Sequence, residues 1–444
     1  NTTMRQYALL FGSYIFYGAW NPSFIILIVA SSFWGWFSGL LIHKVNQPSL
    51  KKKVVLLSVF ISIAPLAYFK YGNFLAENIA TLFGYYWIPA DITLPVGISF
   101  FTFQVMSYTI DLYRDRISVC TNLRKFMLFV AFFPQLVAGP IVRASEFLPQ
   151  LDRTVRLKWE NCIIGGQIFL GGTMQKVLIA DNLSTFVDPV FLAPELYSAG
   201  TLWLSLVAYS IQIFCDFSGY SLMAIGIARI LGFVLPENFR MPYMAKSITE
   251  FWRRWHMTLS FWLRDYLYIS LGGNRKGNIR TYFNLLVTML LGGLWHGASW
   301  NFVLWGGMHG LALAIHRIWE QKTKHIETIK NTKQYKFISW IFTMFTVGML
   351  WVPFRCLDFK KTSTFYSNMF LTDGGIGWYH PLIITILIIV VFWHILDLYA
   401  IKHLTSFPNS RINGVYPSFV IGFSLLLILL FAPVNTSPFI YFQF

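Results

Sequence analysis

The chain alternates between long apolar runs and short polar segments. Apolar runs of about 20 residues recur, and a helix of that length crosses the hydrocarbon core of a bilayer. The runs lack the residue-by-residue alternation of transmembrane barrel strands. The pattern therefore predicts an all-α, polytopic membrane protein. The candidate spans are residues 4–20, 23–42, 54–71, 162–186, 202–217, 337–352, 381–398 and 419–431, with a helical continuation over 221–233.

Two apolar segments contain helix breakers. Residues 94–110 include Pro95 and Gly97, and the short run 126–137 leads into a segment with Pro134, Gly139 and Pro140. Non-helical backbone at membrane depth is tolerated only where protein or a cavity surrounds it. These segments predict re-entrant or broken helices around a central cavity.

Residues 249–270 have a different pattern. Aromatic and leucine side chains recur at helical spacing, while charged residues occupy the other faces. This arrangement predicts a helix that lies in the membrane interface or on the cytoplasmic face of the protein. The apolar stripe comprises Trp252, Trp255, Leu259, Trp262 and Tyr266, and the polar faces carry Arg253, Arg254, His256, Arg264 and Asp265.

Composition agrees with a membrane protein, since 56% of residues are hydrophobic and only 12% are charged. The net charge of +16 is concentrated in loops such as 43–53 and 317–336. The positive-inside rule places such loops in the cytoplasm, facing anionic lipid or an acidic partner. The charge is thus explained without nucleic acid. Lys176 and Asp181 lie within one span, and their five-residue spacing predicts different faces of an α-helix.

The motifs exclude several chemistries. No zinc-ligand spacing, nucleotide-binding P-loop or serine-hydrolase elbow is present in the sequence. The four cysteines are scattered and predict apolar packing residues.

Residues 285–309 form the most informative stretch. This apolar segment contains His296 and His309, flanked by the glycine pairs 292–293 and 306–307. A membrane histidine that only bonds across a helix interface is a serious alternative. However, each of these histidines is followed by glycine, and ionisable side chains in apolar segments tend to face a cavity. Because imidazole titrates near neutrality, we interpret the stretch as a reaction centre with His296 as general base.

Five motifs carry a resemblance to a known family. They are LPVGISFFTFQVMSYTIDLYR (94–114), FFPQLVAGPIVR (132–143), CDFSGYSLMAIGIARILGF (215–233), ENFRMPYMAKSITEFWRRWHMTLSFWLRDYLYISLGGNR (237–275) and GLWHGASWNFVLWGGMHG (293–310). In this order the chain resembles the membrane-bound O-acyltransferases. It is most similar to the branch of the alginate O-acetylase and the related peptidoglycan O-acetylating membrane proteins of bacteria.

The resemblance implies a single transmembrane domain over residues 1–444, with a further family segment before Asn1. It implies an enzyme of the bacterial cytoplasmic membrane that uses acetyl-CoA as acyl donor and no metal. The acetyl group would pass across the membrane to an envelope polysaccharide, with an extracytoplasmic acetyltransferase as partner protein.

The resemblance also assigns residues. His296 matches the family's invariant histidine, and His256 and His309 match other recurrent ones. Cationic candidates for the phosphates of coenzyme A are Arg253, Arg254 and Arg264. The sister branch that transfers D-alanine to teichoic acids has a further histidine in the span after the lysine-rich loop. Residues 337–351 contain none, which favours the alginate-type branch.

Two alternatives remain open at this stage. Broken helices and buried polar groups also occur in a transporter of an acyl or lipid-linked sugar donor. A scaffolding subunit of a polysaccharide complex would use residues 249–270 only for docking.

Overall fold

The computed structural model describes residues 2–137, 139–154, 158–356, 358–371, 374–404, 415–433 and 438–439. Its regular structure is helical, which confirms the all-α prediction. The helices are α1 Thr2–Trp20, α2 Ile25–Lys44, α3 Pro48–Leu82, α4 Ile98–Tyr113, α5 Leu123–Ala131, α6 Phe133–Leu136, α7 Ala144–Leu151, α8 Trp159–Met174, α9 Asp181–Leu192, α10 Ala199–Ile230, α11 Ile248–Trp252, α12 Met257–Trp262, α13 Asn278–His296, α14 Trp300–Lys322, α15 Glu327–Lys330, α16 Lys333–Arg355, α17 Phe359–Leu371, α18 Pro381–Leu404 and α19 Val415–Phe431. Two π-helical turns, Gln175–Ala180 and Leu263–Tyr268, follow α8 and α12.

Within the described residues, five helical segments are long and apolar enough to cross a membrane. They are Pro22–Lys44, Pro48–Leu82, Trp159–Leu192, Ala199–Ile230 and Lys333–Arg355. The boundary predicted at residue 217 is wrong, because the span expected at 202–217 and most of its expected helical continuation over 221–233 form the single helix α10. The polar residues within 215–220 do not end the helix, since the carboxylate of Asp216 is bound by Lys176.

The chain divides into two compact units. The first comprises Asn1–Gly165 with Ala224–Pro236, and the second comprises Gly166–Met223 with Glu237–Phe444. Two of the three boundaries fall inside helices, namely α8 and α10, and the third lies in the loop after α10. The single transmembrane domain thus stays a prediction.

The first unit contains the broken segments and an aromatic core. Gly97 adopts a left-handed φ of 75° at the start of α4, and a Cβ atom there would lie 2.4 Å from the carbonyl oxygen of Leu136. The apolar run 126–137 is interrupted between α5 and α6 at Phe132. The prediction of broken helices is confirmed. The core includes the buried rings of Phe126, Phe129, Phe132, Phe147 and Phe233.

The second unit corrects the prediction for residues 249–270. This segment is not one helix, because α11 and α12 are separated by a turn in which His256 has a left-handed φ of 40°. A residue with this left-handed backbone conformation interrupts a right-handed helix. The members of the predicted aromatic stripe are nevertheless all buried in the protein: Trp252, Trp255, Leu259, Trp262 and Tyr266.

Candidate active site

The hairpin of α13 and α14 positions two of the predicted histidines. His296 is the last residue of α13, and His309 lies in α14 after a short turn. The helices pack closely through glycines: a Cβ atom on Gly293 would lie 2.1 Å from the carbonyl oxygen of Phe302, and one on Gly306 would lie 2.2 Å from that of Met289. One glycine of each pair thus lets the two backbones approach closely.

The three predicted histidines belong to one buried aromatic cluster. The ring centroid of Trp295 lies 5.9 Å from that of His256 and 5.0 Å from that of His296. The ring of Trp305 lies 5.0 Å from His296 and 4.7 Å from His309. The histidine side chains have exposed fractions of 0%, 3% and 0% in chain order. His256 is distant from His309 in the sequence, so long-range packing brings the two side chains into one cluster.

His256 is held by an asparagine that the sequence analysis missed. The Nδ1 atom of His256 lies 3.0 Å from Oδ1 of Asn238. The same oxygen accepts hydrogen bonds from the hydroxyl of Thr258 at 2.9 Å and its backbone N–H at 3.3 Å, while the Asn238 amide donates to the Ser221 hydroxyl at 3.0 Å. Since Oδ1 is an acceptor, Nδ1 of His256 carries the proton.

This tautomer leaves the other ring nitrogen of His256 as a base. Its Nε2 atom is buried and has no hydrogen-bond partner among the described residues. Burial also lowers the pKa of His256, which lies outside the five candidate spans, to about 3. The imidazole is therefore neutral at physiological pH and presents a lone pair at Nε2.

His309 has the complementary arrangement. The indole N–H of Trp252 donates to Nδ1 of His309 across 3.4 Å. The proton of His309 is then on Nε2, a buried atom without a hydrogen-bond partner in the described part of the chain. His309 thus presents an N–H donor where His256 presents an acceptor.

A phenylalanine from a helix outside the hairpin also packs against His296. The ring centroid of Phe354, in α16, lies 5.2 Å from that of His296. The amide of Asn301, near the start of α14, donates to the carbonyl of Cys356 and to the hydroxyl of Thr362. This buried polar contact joins the hairpin to the end of α16. Phe354, Cys356 and Thr362 were not identified from the sequence, because each is distant from the hairpin along the chain.

The predicted cationic residues have different surroundings. Arg254 forms an ion pair of 2.8 Å with Glu250, and Arg264 binds Asp265 through two nitrogens at 2.7 and 3.1 Å. Arg253 is exposed and has no ion-pair partner among the described residues. It is the arginine of this set whose charge is most available to a ligand.

A buried ionic cluster lies in the helical segment Trp159–Leu192 and in α10. The ammonium group of Lys176 lies 2.7 Å from carboxylate oxygens of both Asp181 and Asp216. The expectation that Lys176 and Asp181 occupy different faces is wrong. Lys176 lies in the π-helical turn Gln175–Ala180, where the i to i+5 spacing brings the two side chains together.

Comparisons with known proteins identify the family of this chain. The profile of the membrane-bound O-acyltransferase family matches residues 53–357. A probable alginate O-acetylase of Pseudomonas putida is 43% identical over 375 residues, covering 82% of this chain and 75% of that protein. A peptidoglycan O-acetyltransferase of Helicobacter pylori is 36% identical over 392 residues, covering 82% and 74%. A teichoic acid D-alanyltransferase of Streptococcus thermophilus is 29% identical over 252 residues, covering 52% and 59%. The chain therefore belongs to the membrane-bound O-acyltransferase family.

Proposed function

We propose that the protein transfers acetyl groups from cytoplasmic acetyl-CoA across the bacterial cytoplasmic membrane for O-acetylation of an envelope polysaccharide. The acceptor would be an alginate-like exopolysaccharide or peptidoglycan, in keeping with the printed activities of the relatives. The observation that carries the proposal is the buried cluster of His256, His296 and His309 in a chain of this family. An extracytoplasmic acetyltransferase is the proposed partner for the final transfer.

The proposed reaction is general-base catalysed acyl transfer. The imidazole of His296 takes the proton from an attacking hydroxyl while its oxygen bonds to the thioester carbonyl carbon. The carbon–sulfur bond then breaks, and the imidazolium returns the proton to the departing thiolate of coenzyme A. The reaction has no net proton uptake, so one histidine suffices as base and acid.

The other two histidines have proposed roles that follow from their tautomers. His256 would accept a hydrogen bond at Nε2 from a hydroxyl or from the protonated base, and so orient it. His309 would donate from Nε2–H toward oxygen on which negative charge develops. Surrounding tryptophan and phenylalanine rings exclude water, which strengthens both interactions.

The donor would be bound partly through cationic side chains. The phosphates of coenzyme A suit the forked guanidinium group. We assign the largest contribution to Arg253, since Arg254 and Arg264 are already bound by carboxylates.

The experiment that tests this function compares cells that have the protein with cells that lack it. Mass spectrometry of isolated envelope polysaccharides should show O-acetyl esters that disappear with the gene and return with the wild-type copy. Purified protein should also release free coenzyme A from acetyl-CoA when acceptor is supplied. A transporter or a scaffold would leave acetyl-CoA intact in the purified system, and that result would overturn the proposal.

A further inference from the structure

A polar cavity in the first unit lies beside the end of α2, the start of α3 and the end of α4. Its volume is about 450 Å³, and its walls come from the end of α2, the first turn of α3, the end of α4 and the loop after α4. Small-ligand pockets in proteins typically enclose about 300–1,000 Å³. The space is therefore large enough for a small headgroup.

The wall of this cavity is basic. It carries His43, Lys51 and Arg116 against one carboxylate, Asp115. The ion pair between Lys51 and Asp115 measures 3.1 Å, but the Asp115 side chain is 83% exposed. Exposed ion pairs of this kind contribute little, so an incoming anion can compete with Asp115 for Lys51.

The cavity is formed by an anchored loop. Asp115 adopts a left-handed φ of 53°, and the backbone N–H of Arg116 donates to the carbonyl of Asp111 at 2.9 Å. At the other end, the N–H of Cys120 donates to the buried hydroxyl of Tyr108 at 2.9 Å. The guanidinium of Arg116 lies 3.7 Å from the buried Asp111 carboxylate, while 46% of its side chain stays exposed. Its charge is thus held at the wall and remains accessible.

The walls also match an amphiphile. Ile42, Leu112, Ile117 and Val119 line the same cavity as the basic groups. The adjoining sequence contains Lys44, Lys52 and Lys53 and no acidic residue from 43 to 53, so the positive-inside rule places this end at the cytoplasmic leaflet. Basic pockets between membrane helices on that side suit the headgroups of anionic lipids.

We infer that this cavity binds the phosphodiester headgroup of an anionic phospholipid, with Lys51 and Arg116 on the phosphate and the apolar walls against the glycerol and first acyl carbons. The inference does not depend on acyl transfer. A free phosphate would satisfy the same two cations but would not use the apolar walls.

Native mass spectrometry of the purified protein, titrated with phosphatidylglycerol or phosphatidylcholine, tests the inference. Wild type should retain phosphatidylglycerol in preference to phosphatidylcholine. The variant Lys51→Gln/Arg116→Gln should bind it at least about ten- to a hundredfold more weakly, since the loss of even one charge-assisted hydrogen bond has that effect. Lys52→Gln/Lys53→Gln is the control, because it removes the same charge from neighbouring exposed lysines outside the cavity wall.

The variant Asp115→Asn should change the affinity for phosphatidylglycerol in the opposite direction. Asparagine tolerates the left-handed backbone, and its neutral amide no longer competes for Lys51, so phosphatidylglycerol should bind several-fold more tightly. This variant keeps both cations and thus tests the site even if the double variant fails to fold. Equal weakening in the two double variants, or unchanged binding in Asp115→Asn, would overturn the inference. Displacement of the lipid by millimolar inorganic phosphate would assign the cavity to a free anion instead.

Discussion

The Nδ1 atom of His256 lies 3.0 Å from the side-chain oxygen of Asn238. The asparagine oxygen accepts a hydrogen bond from Nδ1–H and so leaves Nε2 as the lone-pair nitrogen of a buried, neutral ring. Eighteen positions separate the two residues in the sequence. Their contact fixes the tautomer of His256, with the proton on Nδ1.

Asn238→Ala should lower the turnover number by about ten- to a hundredfold, because leaving a buried donor unsatisfied costs roughly 1–3 kcal/mol. Ser221→Ala removes only the hydrogen bond to the Asn238 amide and should have a smaller effect.

Asn238→Asp separates a positioning role from a purely structural one. A carboxylate beside Nδ1 favours the imidazolium and raises the pKa of His256, so the acid limb of the pH–rate profile should move to higher pH. An unmoved profile together with unchanged turnover in Asn238→Ala would contradict the assigned role.

The close contact between α13 and α14 should not tolerate a side chain at Gly293 or Gly306. Gly293→Ala and Gly306→Ala place a methyl group within 2.1 and 2.2 Å of backbone oxygens, and overpacking of this kind costs about 1–3 kcal/mol. Thermal unfolding in detergent should therefore shift to lower temperature. Gly348→Ala is the matched control, since no atom lies within 4 Å of its Cβ position in α16. Equal stability of all three variants would show that the hairpin is packed differently.

The cluster of Lys176, Asp181 and Asp216 should behave as a unit. Removing one partner of a buried ion pair costs about 3–5 kcal/mol, so Lys176→Met should strongly destabilise the protein. The triple variant Lys176→Met/Asp181→Asn/Asp216→Asn leaves no isolated charge and should recover much of that loss. Unfolding temperatures of the single and triple variants check this. A triple variant less stable than the single one would mean that the three side chains do not compensate one another.

Arg253 should be the arginine that affects the donor most. If it binds a phosphate of coenzyme A, Arg253→Gln should raise the acetyl-CoA concentration for half-saturation by about ten- to a hundredfold. Arg254→Gln and Arg264→Gln serve as comparison variants, since carboxylates already bind their side chains. Coenzyme A release is titrated against acetyl-CoA for each purified variant. Unchanged half-saturation in Arg253→Gln would remove it from the donor site.

Apolar length in the sequence was sufficient to predict the five membrane-length helices, and the glycine pairs of 285–309 could be recognised within their own segment. The length of an apolar run and the pairing of glycines are properties of adjacent residues, so both can be read from the sequence without knowledge of the fold. The partners of the site are long-range. Asn238 reaches His256 through a loop, and Phe354 reaches His296 from another helix.

Two errors came from assuming regular α-helical geometry. The left-handed backbone at His256 divides the segment 249–270, although the spacing of its aromatic residues is helical. The π-helical turn after α8 brings Lys176 to Asp181, although an α-helix would separate them. In both places the irregular backbone is stabilised by contacts with residues elsewhere in the chain.

The most direct test of the account is the rate of coenzyme A release from external acetyl-CoA by His296→Ala in inverted membrane vesicles that hold acceptor in the lumen. Losing a general base lowers a rate by about 10²- to 10⁴-fold, and His296→Ala should fall in that range while its expression and extraction match wild type. His325→Ala, at an exposed histidine outside the cluster, is the control and should retain the wild-type rate. Release by His296→Ala at the wild-type rate would contradict the proposed reaction.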